Sequence, residues 1–411
     1  MKLTSTAFAL LLAASGLSMA APAVAQEQAD PAAAKAMPKV SAGARKEIVA
    51  LQTAVNAKDA ANIPAALAAA QAKAKTKDDQ YIVAQLQLKA AVDANDTAAM
   101  MTGLQAVLNS GWLPPADTGP IYLNLGKLHY NAKSYDAAAT ALEQALKLDP
   151  TNIEATLMLA ESRNNQGRTA EAVATIEKAI AAKTAAGQKA DEAWYKRAVA
   201  LAYNAKQANA PELSRQWVAA YPSPKNWRDA IRIYQGTSAM EDAALIDTMR
   251  LARATNALQG ENDYFRYANT LVTKGFAGEA KAVLDQGFAA NSIDKNKATF
   301  SQLYSLASSR SQGDRATLGA SATAAKAAPD AKKAMVTGEA YLGYGDFAEA
   351  ADMFRTALGK PGVDKDVANL RLGMALAQAG DKAGATAALN AAGGTQAGIA
   401  KLWLTYLDTK A

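Results

Sequence analysis

The chain has 411 residues, with 44 Lys and Arg against 38 Asp and Glu and a formal net charge of +6. Charges of both signs are interspersed along it and no basic run stands out, so we expect no nucleic acid among its partners. Cysteine is absent, which excludes disulfides, thiol chemistry and a lipoprotein anchor.

The N-terminus has the pattern of a secretory signal peptide. A basic residue near the start is followed by an apolar run at 7–14 and by three small residues at 23–25. A membrane anchor is the alternative, but Ser15-Gly16 interrupts the apolar run well short of the roughly 20 residues that a spanning helix needs. We therefore expect residues 1–25 to be removed after Ala25 and the mature protein to be periplasmic, without membrane insertion.

The next segment, residues 26–40, is rich in Ala, Pro and charge without periodicity, which predicts a disordered lead-in. Beyond it the composition favours helices, because half of the residues are hydrophobic, only 6% are aromatic, and the excess is alanine. Alternating strand patterns bounded by turn residues are not sustained anywhere. The sequence therefore predicts an all-α fold, with degenerate helical repeats at 41–118.

The clearest repeat begins at residue 119. Its pattern residues are Tyr122, Leu125, Gly126 and His129 in a first helix, Ala138, Leu142 and Ala145 in a second helix, and Asp149-Pro150 at the end. Small side chains at Gly126 and Ala138 let two antiparallel helices approach closely, while Tyr122 and Leu142 fill the flanking space. Five of these positions recur 34 residues later, as Leu159, Ala160, Ala172, Ile176 and Ala179.

Residues equivalent to Gly126 continue along the chain at spacings of 33 to 38. They are Ala160, Ala198, Ile231, Ala268, Tyr304, Gly338 and Gly373, of which Ile231 and Tyr304 are the weaker matches. We predict clear repeats at 119–222, divergent helical repeats at 223–330 and clear repeats again at 331–394. The last segment, 395–411, carries its apolar residues on one helical stripe, which predicts a helix that caps the final repeat.

This pattern resembles the tetratricopeptide repeat family in a secreted or periplasmic bacterial form. The resemblance implies a right-handed α-solenoid of antiparallel helix pairs, whose first helices line a concave groove that binds partners. Carried over position by position, it implies groove-facing residues at Leu123, Lys127, Tyr130, Asn131, Leu157, Glu161, Asn164, Asn165, Tyr195, Tyr203, Phe265 and Asn269. The family's clamp for a terminal carboxylate is not reproduced, because Glu161 intrudes.

Catalytic motifs are scarce. The single histidine, His129, stands at a packing position, and one histidine cannot complete a His-based metal motif. The nucleophile elbow G-x-S-x-G does not occur, and the S-x-x-K match at 292–295 has no partner motifs. We therefore expect no catalytic, metal or cofactor site, and no enzymatic activity.

The sequence favours a periplasmic scaffold or adaptor that holds a peptide or another envelope protein in its groove. Two alternatives stay open. A protein that handles envelope polymers, in polysaccharide or outer-membrane assembly, would need a row of aromatic platforms, for which the candidates are Trp194, Tyr195, Tyr203 and Trp227. An unrecognised envelope enzyme would need buried carboxylates with shifted pKa values inside a closed pocket.

Overall fold

The computed structural model describes residues 37–238 and 240–410. The predicted signal peptide and residues 26–36 of the predicted lead-in lie outside these described residues. The described ranges contain twenty α-helices and two short 3-10 helices, with no strand, which confirms the predicted all-α helical-repeat fold. Among the described helices, none combines the length and the apolar character that a membrane crossing needs.

The chain divides into two compact units, unit 1 at Met1–Gln188 and unit 2 at Lys189–Ala411. The helices of unit 1 are α1 (Arg45–Asn56), α2 (Ile63–Lys73), α3 (Lys77–Asp93), α4 (Thr97–Asn109), α5 (Gly119–Asn131), α6 (Tyr135–Leu148), α7 (Ile153–Asn165) and α8 (Thr169–Ala185). Successive helices pair across short turns. At the turn between α3 and α4, Asn95 adopts a left-handed backbone conformation (φ 53°) and Asp96 caps α4 by accepting a hydrogen bond from the Ala99 backbone.

Close helix pairing in the repeats depends on a small residue and a large one sixteen positions apart. A Cβ placed on Gly126 of α5 would lie 2.5 Å from Cγ of Leu142 on α6. In unit 2, a Cβ placed on Gly373 would also lie 2.5 Å from Cγ of Leu389. The same contact therefore recurs in two separate repeats, at positions where the sequence pairs a small residue with a large one.

Unit 2 consists of twelve helices. They are α9 (Glu192–Asn204), α10 (Ala210–Ala220), α11 (Pro224–Thr237), α12 (Asp242–Ala254), α13 (Gly260–Lys274), α14 (Ala277–Ala289), α15 (Ala298–Ala327), α16 (Lys332–Tyr344), α17 (Phe347–Leu358), α18 (Lys365–Ala379), α19 (Lys382–Ala391) and α20 (Ala397–Thr409). All but α15 and α20 form consecutive helix pairs.

A single helix of 30 residues, α15, occupies the segment around Tyr304, where the repeat pattern is weak. With one helix in the place of two, α16 contacts α14 directly as well as α15. The regular succession of helix pairs is therefore interrupted at α15.

The C-terminal helix α20 covers the last repeat by packing on α18 and α19, as a cap should. It also contacts α10 and α12, far earlier in unit 2. Arg215 on α10 donates a hydrogen bond of 3.2 Å to the Thr405 hydroxyl on α20, and Gly398 lies against the ring of Tyr234 on α11. Helix α20 therefore packs on helices from both ends of unit 2, and in this way it joins the two ends of the unit.

Candidate functional site

Within unit 1, the predicted groove residues lie on α5 and α7. The Lys127 ammonium lies 2.8 Å from the Glu154 carboxylate, which links the two helices. Asn165 donates to the backbone carbonyl of Glu161 at 2.8 Å, and the Asn164 side chain accepts a hydrogen bond from Thr169. These amide side chains therefore have partners inside unit 1 in the unbound protein.

The remaining unit 1 candidates differ in exposure. Leu123 packs on the core around Leu142, whereas Asn131 is exposed. The Tyr130 ring meets Tyr135 edge-on, with 5.6 Å between the ring centroids. His129 is partly buried, as expected for a packing position. This burial lowers the pKa of its imidazole below the usual value.

In unit 2 the predicted residues separate into a buried one and three exposed ones. Tyr195 is only 7% exposed, because it packs edge-on against the Tyr221 ring, and so it does not reach a groove surface. Tyr203 and Phe265 are 43% and 40% exposed, and Asn269 is also exposed. The polymer-handling alternative loses its aromatic row, because Trp194 and Trp227 are buried together with Tyr195.

Phe265 lies in a depression between α11, α12 and α13 with a volume of about 460 Å³, which we call the Phe265 groove. Apolar side chains of Ile231, Met249 and Leu258 form part of its lining. Three arginines, Arg228, Arg232 and Arg266, line it as well. Sequence reasoning missed the arginines, because they are spread over two helices, α11 and α13, and form no basic run.

The charges in the Phe265 groove leave a positive excess. Asp263 accepts hydrogen bonds of 3.0 Å from both Arg228 and Arg232. Arg266 lies 3.4 Å from the side-chain oxygen of Gln235, a neutral group. With three guanidiniums against one carboxylate among the lining residues, the groove has a net charge of +2 beside an exposed aromatic ring.

A second feature of unit 2 is a cluster of five buried charges, the buried charge cluster, made by Asp247, Arg250, Glu279, Glu339 and Arg371. Arg250 donates to both Glu279 oxygens at 3.0 and 2.7 Å and to Asp247 at 2.8 Å. Arg371 donates to both Asp247 oxygens at 3.3 to 3.4 Å and forms an ion pair with Glu339. The cluster therefore ties together α12, α14, α16 and α18.

The two glutamates of the cluster have pKa values shifted in opposite directions. Burial acts to raise the pKa of Glu279, but the charge and hydrogen bonds of Arg250 outweigh it and hold the pKa below its usual value. Burial raises the pKa of Glu339 above its usual value in spite of the nearby Arg371. Burial and the Arg371 ion pair therefore act on the pKa of Glu339 in opposite senses, and burial has the larger effect.

Buried carboxyl groups with shifted pKa values are the feature that the enzyme alternative requires. In this cluster, however, both oxygens of Glu279 accept hydrogen bonds from Arg250, and one of them also accepts a bond of 2.6 Å from the Tyr267 hydroxyl. A carboxylate whose oxygens are occupied in this way holds helices together well and is poorly placed to accept a proton from a substrate. The described residues include no group of three or more His, Asp or Glu side chains arranged to hold a metal ion.

Comparison with known proteins gives one family. Residues 123–188 and 335–397 match the model described as tetratricopeptide repeat. Both segments lie in parts of the chain where the small and large residues of the pattern recur most regularly, and together they support the predicted repeat family there. No relative is found among curated proteins.

Among solved structures that match, two have low similarity to the chain. A tetratricopeptide repeat protein from Parabacteroides merdae ATCC 43184 has 15% identity and a TM-score of 0.29, covering 72% of this chain and 99% of that one. A structure of Naa15/Naa10 bound to HypK-THB has 13% identity and a TM-score of 0.27, covering 84% of this chain and 68% of that one. The fold assignment rests on the helix pairs and the repeat match rather than on these structures.

Proposed function

We propose that this protein is a non-catalytic interaction scaffold that binds an acidic peptide segment of another envelope protein in the Phe265 groove. The observation that carries the proposal is the exposed Phe265 ring, which lies among three arginines in a groove with a volume of about 460 Å³. Tetratricopeptide repeats in two segments of the chain support a scaffold role in general.

The chemistry of the groove favours this kind of partner. Aromatic and arginine side chains are enriched at the centres of protein interfaces, because a ring buries a large area with little loss of side-chain freedom and a guanidinium binds carboxylates with two hydrogen bonds. Arg266 has no carboxylate partner among the described residues, so Asp or Glu of a bound segment can supply one. An apolar side chain of the same segment can pack on Phe265.

Selection from a random peptide library on the purified protein tests the proposal. We expect the selected peptides to be enriched in Asp and Glu around one aromatic or aliphatic residue. Phe265→Ala should weaken their binding by about tenfold or more, because truncation of a central aromatic residue commonly costs about 2 kcal/mol. Fluorescence anisotropy of labelled peptides measures the change.

Leu306→Ala is the matched control, since Leu306 is 41% exposed on α15 and lies outside the lining of the groove. We expect it to leave the affinity within about twofold of the parent, as for a surface residue outside the interface. Selected peptides without an acidic bias, or equal binding by the Phe265→Ala protein, would contradict the proposal.

The location of the scaffold in the periplasm is a further part of the proposal. It is supported by the sequence pattern of residues 1–25, with small residues before Gln26. Intact-mass measurement of protein produced in a Gram-negative host should give a chain that begins at Gln26 and is recovered in the periplasmic fraction. Recovery of the uncleaved chain in the cytoplasmic fraction would contradict this location, without bearing on the groove.

A further inference from the structure

Unit 2 contains a cavity of about 290 Å³, which we call the axial cavity, lined by residues of α12, α13, α14, α16, α17, α18 and α20. It adjoins the buried charge cluster at Arg250 and Glu279. Part of its wall is apolar, with Leu342, Phe347 and Met374 contributing. Its volume lies just below the usual range for small-molecule sites, about 300 to 1,000 Å³, which suits a small ligand.

One buried donor in this wall has no acceptor. Trp403 on α20 is 1% exposed, and its indole Nε1 makes no hydrogen bond to any described residue. An indole nitrogen can only donate, and leaving a buried donor unpaired is destabilising. Trp403 is held by packing against Tyr406, whose ring is 5.5 Å away between centroids. Trp403 is one of the residues that line the axial cavity.

One guanidinium in the same wall forms no direct ion pair with a described residue. Arg253 donates through Nε to the side-chain oxygen of Gln286 at 2.9 Å and forms no ion pair within the described ranges. The neighbouring Arg250 is different, because its guanidinium forms ion pairs with Glu279 and Asp247. The axial cavity thus contains an indole N–H and a guanidinium, neither of which donates a hydrogen bond to a carboxylate of the described part of the chain.

We propose that the axial cavity binds a small organic carboxylate, whose oxygens accept hydrogen bonds from Trp403 and Arg253 and whose apolar part packs on Met374 and Leu342. A carboxylate satisfies both donors at once, since it offers two oxygens and a negative charge. The apolar wall favours a ligand with a hydrocarbon body over inorganic phosphate. This site is separate from the Phe265 groove, so either proposal can fail without the other.

The test is binding of a panel of small acids to the full mature chain: acetate, propionate, benzoate and phenylacetate. Benzamide serves as the uncharged match of benzoate, and inorganic phosphate as the anion without an apolar body. Binding is followed by the indole N–H resonances of the ¹⁵N-labelled protein, in which the five tryptophans give separate signals and Trp403→Phe identifies one of them. We expect at least one acid to move the Trp403 signal downfield in a saturable way.

Arg253→Gln should weaken binding of that acid by about tenfold or more, because a charge-assisted hydrogen bond is lost. Arg355→Gln, an exposed arginine on α17, should change it by less than about twofold, since surface charges at a distance are screened. Arg253 is itself partly exposed, so its substitution is compatible with folding, and the Trp403 signal reports on this. No saturable shift with any acid of the panel, equal binding of benzamide, preference for phosphate, or unchanged affinity in Arg253→Gln would overturn the proposal.

Discussion

Arg250→Met is expected to destabilise unit 2 by about 3–5 kcal/mol near neutral pH, because it leaves two buried carboxylates without their main partner. Among the described residues, only Arg250 donates to both Glu279 and Asp247. Methionine retains most of the volume, so the loss comes from charge and hydrogen bonding. Urea unfolding followed by tryptophan fluorescence measures the change, since four of the five tryptophans lie in unit 2.

The pH dependence of this variant distinguishes lost charge pairing from lost packing. In the parent protein the pKa of Glu279 lies below its usual value, so its contribution to stability is present above the unfolded pKa and is lost as pH falls through the folded pKa. Without Arg250, burial should raise the pKa of Glu279, and the folded variant then takes up a proton more readily than the unfolded chain. The stability deficit should therefore shrink as pH is lowered from about 8 to about 5.

Arg355→Met on the exposed side of α17 is the control, with an expected change within about 0.5 kcal/mol. A deficit in Arg250→Met that is equally small, or one that does not depend on pH, would show that the buried charge cluster does not hold α12 and α14 together.

Phe354→Ala is expected to cost about 3–5 kcal/mol, because it leaves a cavity at a fully buried position between paired helices. Phe354 on α17 is 0% exposed and lies where a Cβ on Gly338 of α16 would be 2.8 Å from its ring. The same fluorescence-detected urea unfolding measures the loss. Val336→Ala, at a position 57% exposed on α16, should stay within about 0.5 kcal/mol.

The reciprocal change tests whether the size of both partners matters. Gly338→Ala should cost about 1–3 kcal/mol by overpacking against Phe354. Combined with Phe354→Leu, it should cost less than the sum of the two single changes, because residues in contact are energetically coupled. Strict additivity would mean that the small and large residues of the repeat do not pack as a matched pair.

The repeat contacts were predictable from sequence because they depend on residues close along the chain. Gly126 and Leu142 are sixteen positions apart, and each helix pair repeats the same local solution of a small residue facing a large one. Helix pairing of this kind is decided by side-chain size within one repeat, so a one-dimensional pattern carries the information.

The buried charge cluster was not predictable in the same way. Asp247 and Arg371 are 124 positions apart, and they meet only because α12 and α18 face a common interior. In the sequence, each of these charged residues cannot be told from any other charged residue on a helix, and most such residues are exposed to solvent. The unpartnered Trp403 donor is equally invisible, since sequence shows an apolar stripe and not what each side chain faces.

What the sequence alone determined is the all-α class, the pairing of successive helices and the terminal helix that covers the last repeat. The tertiary structure decided that one long helix, α15, takes the place of a pair and that α20 reaches back to α10 and α12. Those contacts join residues far apart in the chain. They form only where the small rotations between successive helices add up so that distant helices meet. The repeat pattern specifies how each helix packs on the next one, but only the folded unit shows which distant helices come into contact.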